Sequence, residues 1–131
     1  AFYKRKIKPK KKKKIIRFQV KVYFASDSDY LNQTATKKLD KLVRFYHKAK
    51  TNKPVRKIDV NGFTSRSGSY EYNLDLSKRR AHNALEYLAK RGIPRNIMEE
   101  RYHGESKLRV KSNSDSSDNW ANRRVEFTIY R

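Results

Sequence analysis

The stretch Gly62-Phe63-Thr64-Ser65-Arg66-Ser67-Gly68-Ser69-Tyr70-Glu71-Tyr72-Asn73-Leu74-Asp75-Leu76-Ser77-Lys78-Arg79-Arg80-Ala81 carries the reading of the fold. It closes a strand, since Val55 to Gly62 alternates Ile58 and Val60 with Lys57, Asp59 and Asn61 at a period of two. Thr64 to Gly68 is a Ser/Gly-rich turn. A helix is then predicted from about Asn73 to Lys90, with Leu76, Ala81, Ala84, Leu85 and Leu88 inward. Gly92 suits its C′ position and Pro94 ends it.

Upstream, Ile16, Phe18, Val20, Val22 and Phe24 alternate with Arg17, Gln19, Lys21 and Tyr23, which predicts a first half-buried strand. Ala25 to Tyr30 is a polar break, with Asp27 and Asp29 placed to cap a first helix. In that helix Leu31, Ala35, Leu39, Leu42, Tyr46 and Ala49 recur at steps of three and four, and Asn52 and Pro54 stop it. Strand, helix, strand suggests a parallel crossover. Downstream, a third strand is predicted around Met98 to His103. A loop or surface insertion occupies Lys111 to Asn119. A last strand alternates Val125, Phe127 and Ile129 with Glu126, Thr128 and Tyr130. The expected architecture is an α/β (α+β) two-layer sandwich. Its order is β-α-β-α-β-β, a mixed four-stranded sheet with two main helices on one face.

Composition narrows the functional classes. With 131 residues, 36% hydrophobic and 12% aromatic, the chain can bury one core. It has no cysteine, so disulfides and thiolate metal sites are excluded. No apolar run approaches the roughly 18 residues that span a bilayer. No signal peptide is visible and the chain starts at Ala1 in a charged segment, which reads as a fragment. The net charge is +21, and ten of the Lys and Arg residues lie in residues 1–17 with no acid among them. Residues 18–131 keep +11, with 24 basic side chains facing 13 acidic ones. We therefore expect residues 1–15 to form a basic linker, disordered or extended, and residues 16–131 to form the folded domain.

Three stretches make the chain resemble the OmpA-like family, the domain shared by OmpA C-termini, Pal lipoproteins and MotB stators. The first is Gly62 to Ala81, similar to the family's Gly-aromatic-Thr-Asp, Gly-Ser turn, Tyr-Asn, Leu-Ser and Arg-Ala. The second is Val22-Tyr23-Phe24 running into Ala25-Ser26-Asp27. The third is Asn122-Arg123-Arg124-Val125-Glu126-Phe127, and Gly104-Glu105 matches a family Gly-Glu. They occur in family order across about residues 16–131. The resemblance implies a non-enzymatic module in the periplasm, associated with the cell wall or outer membrane. It would bind the diaminopimelate-containing peptide stem of peptidoglycan in a groove between the first strand, the second strand and the second helix, and so anchor a larger envelope protein or complex. Its partners would be peptidoglycan and other domains of that protein; any membrane attachment would lie N-terminal to the chain.

On the same resemblance, Arg80 falls on the arginine that takes the ligand's carboxylate, a task suited to a planar bidentate fork. Asn73 and Leu76 match groove-lining positions, Asp27 a polar ligand contact, and Arg123 an arginine near the mouth. Thr64 matches the family threonine, but the Asp expected to receive the ligand's ammonium is Ser65 here. A hydrogen bond to a charged group contributes roughly 1.5–3 kcal/mol, so its loss would weaken binding about tenfold to a hundredfold. Asp27, Glu71 and Asp75 are the candidate replacements.

Other readings remain beside these. Arg80 also reads as a surface arginine paired with Glu71 or Asp75, Asn73 as a helix cap, Ser65 as a turn residue, and Asn122 to Arg124 as an edge contact of the fold. Ser65 also admits a family member that has lost its ligand and serves as a docking or assembly domain. The lysine block and nine tyrosines fit nucleic-acid binding, but the basic residues form a run rather than a patterned helix, so no nucleic-acid partner is expected. Asp27-Ser28-Asp29 and Asp115 to Asp118 lack the Gly and terminal Glu of a calcium loop, and His47, His82 and His103 show no ligand spacing. Neither a metal, a cofactor nor a catalytic constellation is expected.

Overall fold

The computed structural model describes residues 17–49, 53–108 and 119–131. The expected linker over residues 1–15, Ile16, Asn52 and most of the Lys111 to Asn119 loop lie outside them. Strand β1 (Arg17–Tyr23), helix α1 (Gln33–Ala49), β2 (Lys57–Gly62), α2 (Tyr70–Lys90), β3 (Met98–Tyr102) and β4 (Arg124–Tyr130) follow in chain order. The order β-α-β-α-β-β, the mixed four-stranded sheet and the two helices agree with the sequence reading.

The sheet order is β1-β4-β2-β3. β1 and β2 are each antiparallel to β4, and β2 is parallel to β3. The expected crossover from β1 through α1 to β2 does join parallel strands, but the chain returns at its end to insert β4 between them. Val125, Phe127 and Ile129 are fully buried and Thr128 nearly so, as befits a strand with neighbours on both edges.

The apolar stripes fill the space between sheet and helices. Leu39, Ile58, Val60, Ala81, Ala84, Leu88, Phe127 and Ile129 have no exposed surface, and burying a large aliphatic or aromatic side chain stabilises by about 1.5–3 kcal/mol. Phe24 is 2% exposed, and Phe18 packs half-buried at the core's edge with its ring 5.0 Å from that of Phe45.

The helix ends correct two of the capping assignments. α1 is capped by Asn32, whose Oδ1 accepts from the Ala35 amide at 2.9 Å, rather than by Asp27 or Asp29. α2 starts at Tyr70, capped by Ser69 Oγ accepting from the Tyr72 amide at 3.1 Å. Asn73 is thus one turn inside the helix and is not its cap. Competing hydroxyls at Ser67 and Ser69 made the start hard to place, because either can satisfy first-turn amides. The other end is as expected: Gly92 has φ +95°, its amide reaches Ala89 O at 3.1 Å, and the Ile93 amide reaches Leu88 O at 3.2 Å. This is a Schellman closure, with Ile93 and Leu88 both buried.

Candidate ligand-binding site

Five segments meet where β1 and β2 end: the β1–α1 loop, the turn after β2, the first turns of α2, the residues after β3 and the residues before β4. Arg80 joins three of them. It is the largest side chain in the fold with no exposed surface. Its Nε donates to Ser28 O at 2.8 Å, Nη1 to Phe63 O at 3.1 Å and Nη2 to Ala25 O at 3.1 Å. Its guanidinium carbon also lies 5.2 Å from the Phe24 ring centroid. The planar fork therefore fastens the β1–α1 loop to the end of β2. The reading of Arg80 as a surface residue paired with Glu71 or Asp75 is overturned; Arg79 takes the surface role, with Nε at 2.8 Å from Asp75 and Nη1 at 2.8 Å from Asp29.

Arg123 grips the same loop from the other side, its Nε donating to Phe24 O at 2.9 Å. Asp27 stands at the loop's exposed tip in a left-handed conformation, φ +55°, which Asp tolerates better than most residues. Asn73 and Leu76 are buried on the α2 face that also carries Arg80, at spacings of three and seven residues. Asn73 Nδ2 donates to Glu105 Oε1 at 3.3 Å.

The turn after β2 is held by the Thr64 amide donating to Gly104 O at 2.8 Å. Ser65 is buried, its Oγ 3.1 Å from Ser67 Oγ. Among the described residues, the buried Thr64 hydroxyl has no hydrogen-bond partner, a condition that costs about 1–3 kcal/mol when nothing fills it. Thus Arg80, Asp27 and Arg123 gather about the β1–α1 loop, while Thr64, Ser65 and Asn73 gather about the turn and Glu105. Leu76 lies in the helix face between the two groups.

Glu105 is the charged residue that the sequence reading did not place in the site. It is half-buried beside Asn73, and the Gly104-Glu105 match was its only signal. Of the suggested replacements for the carboxylate absent at Ser65, Asp75 is engaged by Arg79 and Glu71 is exposed on the first turn of α2. Arg124, by contrast, serves the fold. It is 4% exposed, bonds Glu126 Oε2 through Nε at 2.5 Å and lies 3.9 Å above the Phe63 ring. Its strand is central rather than at an edge.

Phe63 stacks on His103 with centroids 4.8 Å apart, and His103 Nε2 lies 2.8 Å from Asn61 Oδ1. Burial, then the charges of Lys107 and Arg101, hold the imidazole below its ordinary pKa of 6.5. The unfolded chain therefore takes up this proton more readily than the folded one. Stability should be full above pH 6.5 and decline as pH falls from that value toward the lower folded pKa. In urea titrations across this window, His103→Gln should remove that part of the decline; an unchanged slope would assign it to other groups.

Comparison with known proteins identifies the fold. The OmpA family model matches residues 23–123, and the chain belongs to the OmpA family. It is 28% identical over 109 residues to a peptidoglycan-associated lipoprotein of Brucella melitensis, covering 83% of this chain and 61% of that protein. The chain thus spans somewhat under two thirds of that relative's length. Among solved structures it is similar to the peptidoglycan-associated lipoprotein of Burkholderia pseudomallei, with TM-score 0.71 and 28% identity over 85% of this chain and 89% of that one. The C-terminal domain of Helicobacter pylori MotB has the same fold, with TM-score 0.71 and 22% identity over 84% and 83% of the two chains.

Proposed function

We propose that the chain binds peptidoglycan non-covalently and anchors a larger envelope protein or complex to the wall, with no catalytic step. What supports this reading is convergence: residues matched to the family from four separate stretches, Asp27, Thr64 to Ser65, Asn73 to Arg80 and Arg123, lie around one mouth. Family membership and similarity to proteins named as peptidoglycan-associated point the same way. The corresponding location is the periplasm, at the wall or outer membrane, with residues 1–15 as a basic linker.

The finer proposal is that the ligand is the diaminopimelate end of the peptide stem. Its carboxylate would replace one of the neutral carbonyls on Arg80, because a charge-assisted hydrogen bond is about twice as strong as a neutral one. Its ammonium would meet Glu105, a half-buried carboxylate that follows Gly104, whose carbonyl holds the turn where Ser65 supplies no charge. Asp27 at the loop tip is the second anion within the mouth. Titrating the chain with a diaminopimelate-containing stem peptide tests this. Glu105→Gln should weaken binding about tenfold to a hundredfold, and Ser65→Asp should strengthen it. If neither variant changes affinity, the ammonium site is wrong.

One observation favours a second reading. Arg80 already bonds three backbone carbonyls and Ser65 carries no charge, which suits a family fold kept for docking or assembly after ligand binding was lost. Absence of any binding to the stem peptide or to intact wall would select it.

A further inference from the structure

Cations and an apolar surface share one side of α1. Lys38, Lys41, Phe45 and Lys48 follow one another at steps of three and four, so they lie along one stripe of the helix. Lys37 and Arg44, both exposed, flank that stripe. β1 has no acid. The only one on α1, Asp40, is turned toward α2, where Tyr87 donates to it at 2.6 Å and Arg91 lies 3.7 Å away.

On this side a trough runs between β1 and α1. One part, of about 630 Å3, has Phe18, Val20, Leu42 and Phe45 as apolar walls and Lys38 and Lys41 at its rim. A second part, of about 320 Å3, continues past Phe45 to Ala49 and is rimmed by Lys48 and Arg131. Among the described residues, no carboxylate lines either part. The Arg131 guanidinium carbon lies 5.0 Å from the Phe45 ring centroid, so cation and apolar wall are adjacent. Lys38 Nζ donates to Lys21 O at 3.0 Å, and one carbonyl does not exhaust an ammonium's donors.

We propose that this side of the domain docks on an anionic lipid bilayer, taking an acyl chain of a surface lipid into the trough and its phosphate among Lys38, Lys41 and Lys48. A polyanion with no apolar part would use the cations and leave the trough in water. An uncharged apolar segment would fill the trough and leave the cations idle. An anionic amphiphile satisfies both, because its charged head and its tail occupy adjacent positions. The cations on Lys37 and Arg44 extend beyond the reach of a single headgroup, which suits a surface made of many. The fold is entered at the same side, since Arg17 pairs with Tyr130, the neighbour of Arg131. Nine of the ten Lys and Arg in residues 1–17 precede Arg17, and each cation near an anionic leaflet adds attraction. The trough shares no residue with the mouth, so the proposal stands apart from wall binding.

The test mixes the full chain with vesicles of phosphatidylcholine and phosphatidylglycerol in equal parts, the latter carrying a photoreactive group on its acyl chain. The chain should float with these vesicles and not with phosphatidylcholine alone, less so as salt rises. Cross-linked peptides should contain Phe18, Val20 or Phe45. Lys41→Glu with Arg44→Glu should weaken binding at least about tenfold without changing the melting temperature, because both side chains are exposed. Cross-links confined to residues 1–16 or to other surfaces, or equal flotation of the charge variant, would overturn the proposal. So would NMR cross-relaxation, in the lipid-free chain, from the Phe45 ring to residues 1–16 or to a second copy, because protein would then already fill the trough.

Discussion

Arg80→Ala is expected to destabilise the fold by about 3–5 kcal/mol. Hydrogen bonds from a charged donor contribute roughly 1.5–3 kcal/mol each, though not additively. Truncation would leave the carbonyls of Ser28 and Phe63 without the guanidinium, leave Ala25 O with the Ser28 amide alone and leave a cavity the size of the largest fully buried side chain. A domain of this size has about 5–15 kcal/mol in total, so the variant should sit near the edge of folding. Arg80→Lys should recover little, since an ammonium cannot reach three carbonyls in one plane. Urea denaturation measures both. A loss under about 1 kcal/mol for Arg80→Ala would mean that the guanidinium does not hold the loop, and Arg80 would return to being purely a ligand residue.

Gly62→Ala should be comparably severe for a different reason. A Cβ on Gly62 would lie 2.1 Å from Ser77 O and 2.9 Å from Ser77 C, both helix backbone, and 3.2 Å from the Ala81 Cβ. α2 would have to retreat from β2, disturbing the mouth at Arg80 and Ser77, whose Oγ accepts from the Gly104 amide at 2.9 Å. We expect a loss of about 3 kcal/mol or more. Gly68→Ala is the internal control. Its backbone is strained for alanine at φ +88°, but the nearest atom to a new Cβ is a tyrosine side-chain carbon at 3.4 Å. A loss of about 1–2 kcal/mol should follow there. Equal melting temperatures for the two variants would remove the close helix–strand approach as the cause.

These two residues also mark what could be read from sequence and what could not. Periodicity located β1, β2, β4 and both helices, because Ile58 and Val60 on β2, or Leu39 and Leu42 on α1, must face one core; β3, Met-Glu-Glu-Arg-Tyr, carries no such alternation. The resemblance of Gly62 through Ala81 to the family singled out Asn73, Leu76 and Arg80, and α2 carries all three on its buried face. Charge concealed the rest. Arg80 sits in the buried series Leu76, Arg80, Ala84, Leu88, a four-residue spacing that implied burial; its guanidinium argued for the surface because a buried cation needs partners. Two of its three partners are carbonyls of a loop more than 50 residues distant, and carbonyls leave no mark on a sequence. Glu105 was hidden in a similar way, 32 residues from Asn73. Placing β4 between β1 and β2 required knowing which edges pair, which alternation along a single strand does not encode.

The two clusters at the mouth have separate consequences. Arg80 and Arg123 fix the shape of the β1–α1 loop, so their loss lowers stability and binding together. Glu105 is half-buried and its carboxylate accepts from the neutral Asn73 amide, so its neutralisation should change binding more than stability. That split separates a wall-binding module from a fold retained for docking.

The most direct measurement is co-sedimentation of the chain with purified peptidoglycan sacculi, with free diaminopimelate as competitor and added salt to remove non-specific attraction by the basic residues. Wall binding requires pelleting that survives salt, is displaced by diaminopimelate and weakens with Glu105→Gln. Pelleting that disappears with salt and is indifferent to diaminopimelate would contradict it.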